Sequence, residues 1–209
     1  MSGRANMPTI AFVSRLPAPY RETIFQRIHE RGAGRLHVLY QMLGRAGTAW
    51  QAGRTGLEQR FTYDSAAFAE VIDGDRLGVV KSLACMRWVW RELSRLQPDL
   101  VISHGYSYPA VWSALAWALT HGRPYALRSD SNGFINRPCG LKGWIKRQLL
   151  GALVARCQTI LAIGSANLEY WKQFGARPEQ FVHTGYSVDH ELFRPEAETP
   201  DEAAGFRRR

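Results

Sequence analysis

Apolar runs of strand length alternate with amphipathic stretches of helix length along most of this chain of 209 residues. Such alternation is typical of βαβ units built around a mostly parallel sheet. The predicted strands are 10–14, 36–40, 60–63, 99–103, 124–129, 159–163 and 181–184, and the predicted helices are 19–31, 79–96, 109–121, 141–156 and 166–174. We therefore predict one doubly wound α/β domain, with a loop at 44–56 and a core that ends near residue 195.

The helix predicted at 79–96 has an apolar side and a basic side. Its apolar residues follow helical spacing and predict the side that faces the core; they are residues 79, 83, 86, 90 and 93. Arg87, Arg91 and Arg95 recur every four residues along another side. A basic row of this kind indicates a solvated face.

The helix predicted at 141–156 is basic and amphipathic. Its apolar side consists of Leu141, Trp144, Ile145, Leu149, Ala152 and Leu153, and its basic side consists of Lys142, Lys146 and Arg147. Two interpretations stay open. The apolar stripe covers the sheet, or it lies on an anionic membrane leaflet with Trp144 at the interface.

The charge balance favours anionic partners. The chain has 27 Lys and Arg against 18 Asp and Glu, which gives a formal net charge of +9. Phosphates, acidic lipids and nucleic acid all suit this excess. Nucleic acid is disfavoured because no nucleic-acid motif is present and the basic residues are spread over several predicted helices.

Cysteine usage and hydropathy bear on the compartment. The three cysteines, Cys85, Cys139 and Cys157, form no CxxC pair and are odd in number, so they predict neither a disulfide framework nor a zinc knuckle. The longest nearly apolar stretch, 109–119, is well short of the roughly 18 to 20 residues that cross a bilayer. No secretory signal precedes the first strand. We therefore expect a cytoplasmic protein, with peripheral attachment to the inner face of the cell membrane under the second interpretation above.

Several nucleotide and metal signatures are missing from the sequence. No GxGxxG follows the first predicted strand and no GxxxxGK[ST] is present, which argues against a dehydrogenase or a P-loop ATPase. No HExxH or clustered His, Cys and Asp set has the spacing of metal ligands, so we predict no metal site.

Polar side chains follow three of the predicted strands. Ligands of open α/β sheets bind beyond the carboxyl ends of the strands, so these residues are the candidate site. They are Tyr20 and Arg21 after the first strand, His104 after the strand at 99–103, and Arg128, Ser131 and Asn132 around Asp130 after the strand at 124–129. The structural alternatives are a His104 that only satisfies a backbone group and an Asx or Ser turn around Asp130.

Six segments in this order resemble the N-terminal half of a family-four glycosyltransferase of the GT-B type. They are LPAPYRETIF, DLVISHGY, PYALRSDSN, the basic helix with ALVARC, ILAIGSANLEYWKQFG and SVDHELFRP, and the resemblance covers residues 8–195. The resemblance implies a Rossmann-like domain with helices on both faces of the sheet, forming one half of a GT-B fold. It leaves residues 1–7 as a flexible extension and 196–209 as a linker or the start of a second domain.

The resemblance also implies a function. The domain would bind the acceptor of a retaining, nucleotide-sugar-dependent transfer in polysaccharide, lipopolysaccharide or glycolipid assembly, with no metal and no bound cofactor. Asp130 and His104 would be the catalytic or sugar-orienting residues, and the acceptor-binding residues would be Tyr20, Arg21, Arg128, Ser131 and Asn132. The expected partners are a sugar or lipid-linked acceptor, a separate donor domain and an anionic membrane surface.

The donor-binding half of that family has no counterpart in this sequence, which ends at Arg209. We therefore expect the chain alone to fold but not to turn over a nucleotide sugar. A non-catalytic product of a split or truncated gene, which binds an acceptor lipid, a membrane surface or a separately encoded donor domain, is the alternative function.

Overall fold

The computed structural model describes residues 7–15, 19–41, 59–61, 79–132 and 140–186. The strands are β1 (Thr9–Ser14), β2 (Arg35–Tyr40), β3 (Gln59–Phe61), β4 (Leu100–His104), β5 (Tyr125–Arg128), β6 (Thr159–Ala162) and β7 (Phe181–His183). The helices are α1 (Pro19–Glu30), α2 (Val79–Leu96), α3 (Pro109–Thr120), α4 (Gly140–Arg156) and α5 (Ser165–Lys172), and a 3₁₀ turn spans Pro178–Gln180. The predicted elements agree with these to within two residues.

Some of the predictions lie outside the described residues. They are the extension at 1–7 apart from Met7, the loop at 44–56, the side chain of Tyr20, Cys139, and the end of the domain with the tail at 196–209.

The described strands form one parallel sheet in the order β3-β2-β1-β4-β5-β6-β7. Ile10 of β1 lies beside Leu36 of β2 on one side and Leu100 of β4 on the other. The chain thus winds outward from β1 to β3 and then returns to continue on the opposite side of β1. The predicted doubly wound α/β class is confirmed, and the reversal between β1 and β4 is the point where such sheets open a crevice.

The core has one layer on each face of the sheet because successive strand residues point to opposite faces. Phe12 packs with Phe25 of α1, their ring centroids 4.9 Å apart, in a cluster that also holds Val38. Its neighbours Ala11 and Val13 belong to a larger cluster on the other face. That cluster contains buried residues of α2 to α5, including Leu93, Trp117, Leu153 and Trp171.

The predicted core side of α2 is partly wrong. Leu93 is buried as expected, but Leu83 is 60% exposed and Trp90 is 37% exposed, while Cys85 and Val89 are buried in their place. This side of α2 packs against α3, where the Ser113 hydroxyl donates a hydrogen bond of 2.7 Å to the Met86 carbonyl. The side of α2 that packs on α3 therefore runs through Cys85, Val89 and Leu93, which leaves Leu83 and Trp90 toward solvent.

The basic row of α2 lies at the surface. Arg87 and Arg91 are exposed, and Arg95 donates to Glu92 one turn away at 3.3 Å. The prediction that this side of α2 faces solvent is therefore confirmed.

The prediction that this apolar side of α4 covers the sheet is also wrong. Of its six residues only Leu153 is buried, and the helix instead turns Leu150, Leu153 and Val154 toward the sheet. Residues Leu150 and Leu153 are three apart and Leu150 and Val154 four apart, which places them on one side of a helix. The exposed residues are Leu141, Trp144, Ile145, Leu149 and Ala152.

No described helix is both long enough and apolar enough to cross a membrane.

Candidate functional site

A cleft of about 410 Å³ opens at the carboxyl ends of β1, β4 and β5. It lies where the winding direction of the sheet reverses, the position at which open α/β sheets bind ligands. Its lining residues are Ser14, Arg15, Arg21, His104, Gly105, Tyr106, Ser107, Tyr108, Ser129, Asp130 and Ser131. Four of the predicted site residues, Arg21, His104, Asp130 and Ser131, are brought together here.

Gly105 turns the chain out of β4 and into the cleft rim. Its φ of 84° lies in the left-handed region, where a side chain is strained. The Gly105 N–H donates a 2.7 Å hydrogen bond to the carbonyl of Arg128 in β5. This bond fixes the end of β4 against the end of β5 and so fixes His104 relative to Asp130.

His104 and Asp130 form the polar centre of the cleft. Strand register places His104 beside Arg128, so that Asp130 follows two residues later. The His104 Nε2 lies 3.7 Å from Asp130 Oδ2, and the two side chains are 16% and 45% exposed. This separation is longer than a hydrogen bond.

The environment keeps the imidazole neutral and the carboxyl ionised. Burial lowers the pKa of His104 below its ordinary value of 6.5, the charges of Arg21 and Arg128 lower it further, and Asp130 opposes both. Partial burial raises the pKa of Asp130, but contacts with His104 and Tyr186 and the charge of Arg128 outweigh it, leaving a pKa of about 2. At neutral pH the cleft therefore offers a neutral imidazole beside a carboxylate that can accept hydrogen bonds.

His104 also has a buried Nδ1 without a hydrogen-bond partner among the described residues. Burial without a partner is costly for a polar atom, and such atoms are concentrated at functional sites. This observation weighs against the alternative in which His104 only satisfies a backbone group.

Two arginines, Arg15 and Arg21, lie in the cleft beside this pair. Arg21 at the start of α1 is buried, and its guanidinium donates to Ser14 Oγ at 3.1 Å. Arg15 donates to the Tyr108 hydroxyl at 2.7 Å, with its guanidinium carbon 4.5 Å from the centre of that ring. Both line the cleft, so it is cationic on its β1 side.

Arg128 was predicted to lie in the cleft, but it is not among the residues that line it. Its side chain is buried, donates to the carbonyl of Gly185 at 3.3 Å and lies 5.8 Å from the Tyr186 ring centre. It thereby ties the segment after β7 to the site. Asn132 also lies outside the cleft lining, and the structure describes no side chain for Tyr20.

Asn167 holds the Asp130 loop in place. This buried α5 residue donates from Nδ2 to the carbonyls of Ser129 at 3.0 Å and Ser131 at 2.7 Å, while its Oδ1 accepts from the N–H of Ile163 at 3.3 Å. Both carbonyls flank Asp130, so Asn167 is a positioning residue for the site. Sequence reasoning missed it, and a polar residue on the buried side of a short helix was the available signal.

The described residues include no group of three or more His, Cys, Asp or Glu side chains that could hold a metal ion.

No protein-family model matches the chain, and no curated protein matches it. Solved structures do match its fold. A UDP-N-acetylglucosamine 2-epimerase matches with a TM-score of 0.58 and 12% identity, over 94% of this chain and 54% of that one. The UDP-N-acetylglucosamine 2-epimerase from Rickettsia bellii matches with a TM-score of 0.56 and 13% identity, over 95% and 52%. Alr3699/HepE from Anabaena, solved in complex with UDP and glucose, matches with a TM-score of 0.53 and 13% identity, over 96% and 49%.

The chain spans about half the length of these structures. This likeness shows the fold. It confirms the Rossmann-like α/β architecture, whereas membership in glycosyltransferase family four stays a prediction.

Proposed function

We propose that this chain is the acceptor-binding half of a retaining, nucleotide-sugar-dependent glycosyltransferase of the GT-B type. At a coarser level, the similar structures support a function connected with sugar nucleotides, since they include epimerases of UDP-N-acetylglucosamine and a protein solved with UDP and glucose. The observation that carries the proposal is the His104–Asp130 pair, 3.7 Å apart in a cleft at the reversal point of the sheet.

In this reaction an acceptor hydroxyl attacks the anomeric carbon of the donor sugar while the bond to the diphosphate breaks, and the hydroxyl proton passes to the leaving diphosphate. The pKa of Asp130 is about 2, so its carboxylate is ionised at neutral pH. There it accepts a hydrogen bond from a sugar hydroxyl and orients that hydroxyl. Neutral His104 lies beside that carboxylate, on the more buried side of the pair. Orientation of this kind is one of the larger sources of rate enhancement in group transfer.

The cationic side of the cleft sets the class of acceptor. Arg15 and Arg21 lie in the cleft lining, and guanidinium groups bind phosphate and carboxylate groups in a forked geometry. The acceptor would thus be a sugar that carries an anionic group, or one joined to a lipid through phosphate. The charge that develops on the leaving diphosphate would be stabilised by a second half, because the similar structures are about twice as long as this chain.

A sugar-nucleotide 2-epimerase half is a second candidate, favoured by the several 2-epimerases among the similar structures. The two functions differ in product. Epimerisation inverts C2 of UDP-N-acetylglucosamine without an acceptor, whereas transfer requires one.

Saturation-transfer NMR tests the proposal on the full chain. The probes are methyl glycosides, sugar 1-phosphates and UDP-glucose. Wild type should show sugar-phosphate signals, and Asp130→Asn should bind the sugar phosphate about tenfold more weakly because it loses a hydrogen bond to a charged group. Glu169→Gln, an exposed control on α5, should bind like wild type. Failure of all sugars to bind, or equal binding by Asp130→Asn, would overturn the proposal. Conversion of UDP-N-acetylglucosamine without an acceptor would favour the epimerase.

A further inference from the structure

The N-terminal half of α4 carries a cluster of exposed apolar side chains. Leu141 is 71% exposed, Trp144 is 60%, Ile145 is 43% and Leu149 is 50%. Nine large hydrophobic side chains are exposed among the described residues, and these four lie within one stretch of nine residues. We call them the α4 patch. A concentration of this kind on one helix marks an interaction surface.

Three of the four residues of the α4 patch lie on the side of the helix opposite its core face, and Leu149 lies between the two faces. Each residue turns a helix by about 100°, so positions nine apart lie on opposite sides. Exposed Leu141, Trp144 and Ile145 lie opposite buried Leu150, Leu153 and Val154, respectively. A helix that only covers a sheet would be polar on this outer side.

The charged side chains of α4 are all positive. Lys142, Arg147 and Arg156 are exposed on the same helix, and its seventeen residues include no acidic side chain. A tryptophan among exposed aliphatic residues, flanked by Lys and Arg, is the pattern of a helix that lies in the interface of a bilayer.

The α4 patch also lies close to the cleft. Lys146 departs from the sequence prediction, because it is half-buried and its Nζ is 6.0 Å from the ring centre of Tyr106 and 5.9 Å from that of Tyr170. Tyr106 lines the cleft. The same stretch of α4 therefore contacts the cleft wall on one side and presents the α4 patch on another.

We infer that α4 docks this protein on an anionic lipid bilayer. The α4 patch enters the boundary between headgroups and acyl chains, and Lys142 and Arg147 bind acidic headgroups. Docking would hold the cleft beside the lipid surface. That the bound acceptor is then itself carried by a lipid rests on the proposed function, whereas the docking does not.

Vesicle co-sedimentation of the full chain tests the docking. The probes are phosphatidylcholine vesicles and vesicles with phosphatidylglycerol added at about one third. The protein should bind the anionic vesicles, and binding should weaken in high salt because exposed charges are screened. Lys142→Gln/Arg147→Gln should weaken binding roughly 25-fold, or about fivefold for each charge. Arg87→Gln/Arg91→Gln, an equal loss of exposed charge on α2, should bind like wild type.

The apolar contribution has a matched control as well. Leu141→Ser/Ile145→Ser should reduce binding at least tenfold. Leu83→Ser/Leu119→Ser, which changes side chains that are 60% and 44% exposed elsewhere, should not. Melting curves show that each variant is folded.

Three results would overturn the docking proposal. They are no binding of wild type to either vesicle, equal binding to neutral and anionic vesicles, or equal losses in the variants and their controls. Sedimentation velocity adds a fourth: if the α4 variants abolish a dimer and leave vesicle binding unchanged, the α4 patch joins two copies. Because no sugar is present, these outcomes are independent of the sugar-binding test.

Discussion

Replacing Asn167 by leucine, which has nearly the same shape, should detach the Asp130 loop from α5. The change removes the hydrogen bonds of 3.0 and 2.7 Å to the carbonyls of Ser129 and Ser131 and the 3.3 Å bond from Ile163. Asn167 is only 6% exposed, so water cannot fully replace them. At about 1 kcal/mol for each hydrogen bond, unfolding should cost about 3 kcal/mol less. For a domain of this size, the melting temperature should fall by roughly 6 to 12 °C.

Gln180→Met is the matched control for this variant. The Gln180 amide is also buried, donating to the carbonyls of Val154 at 3.0 Å and Cys157 at 2.6 Å and accepting from the N–H of Arg177 at 2.9 Å. It precedes β7 and so lies at the amino end of the sheet, away from the cleft. Gln180→Met should lower the melting temperature to a similar extent.

The two variants should differ at Asp130. A carboxyl with a pKa of about 2 is about 3% protonated at pH 3.5, whereas one at the ordinary 3.8 is about two-thirds protonated. Carbon-13 NMR of the Asp130 carboxyl should show the low value in wild type and Gln180→Met, and a shift toward the ordinary value in Asn167→Leu. The positioning role is refuted if Asn167→Leu keeps Asp130 ionised at pH 3.5, or if Gln180→Met raises the pKa equally.

Three further outcomes are expected. Folded His104 binds a proton more weakly than unfolded His104, so stability should fall as pH drops below about 6.5, by at most about 1.4 kcal/mol per unit. His104→Asn should flatten this slope in thermal melts, and an unchanged slope would contradict the assignment. Burial raises the pKa of Cys157 to about 12, so iodoacetamide at pH 8 should label it only when the protein is unfolded, as checked by mass spectrometry of its peptide. Under the proposed function, the purified chain should melt cooperatively yet release no UDP from UDP-glucose, because a second half would stabilise the leaving diphosphate; release would defeat this expectation.

The arrangement of strands and helices was predictable because local signals agreed with the global pattern. Gly122 and Gly175 end their helices with φ of 62° and 89°, and Pro109 begins α3. The meeting of His104 and Asp130 was predictable for a different reason. Parallel neighbours end at the same edge of a sheet, so residues just after β4 and β5 must lie close together.

What the sequence left open depends on contacts between distant segments. Asn167 is 38 residues from Ser129, and nothing local to α5 indicates which carbonyls its amide meets. The direction of the Arg128 side chain could not be predicted for the same reason, since its contact with Gly185 depends on where the chain goes after β7. Sequence position alone placed Arg128 in the cleft, and the structure directs it to the neighbouring segment instead.

The faces of α4 show where a periodic pattern stops being informative. Apolar residues at helical spacing fit a stripe through Leu141 and Ile145 as well as one through Leu150 and Val154, and periodicity alone cannot choose which stripe meets the sheet. Packing chooses the second, because Leu150 and Val154 reach the core next to Leu153. Among the described residues, neither core cluster contains Leu141 or Ile145, so covering the sheet does not account for the first stripe. The docking proposal accounts for three features together: an apolar surface outside the core clusters, a helix whose charged residues are all basic, and proximity to the cleft wall.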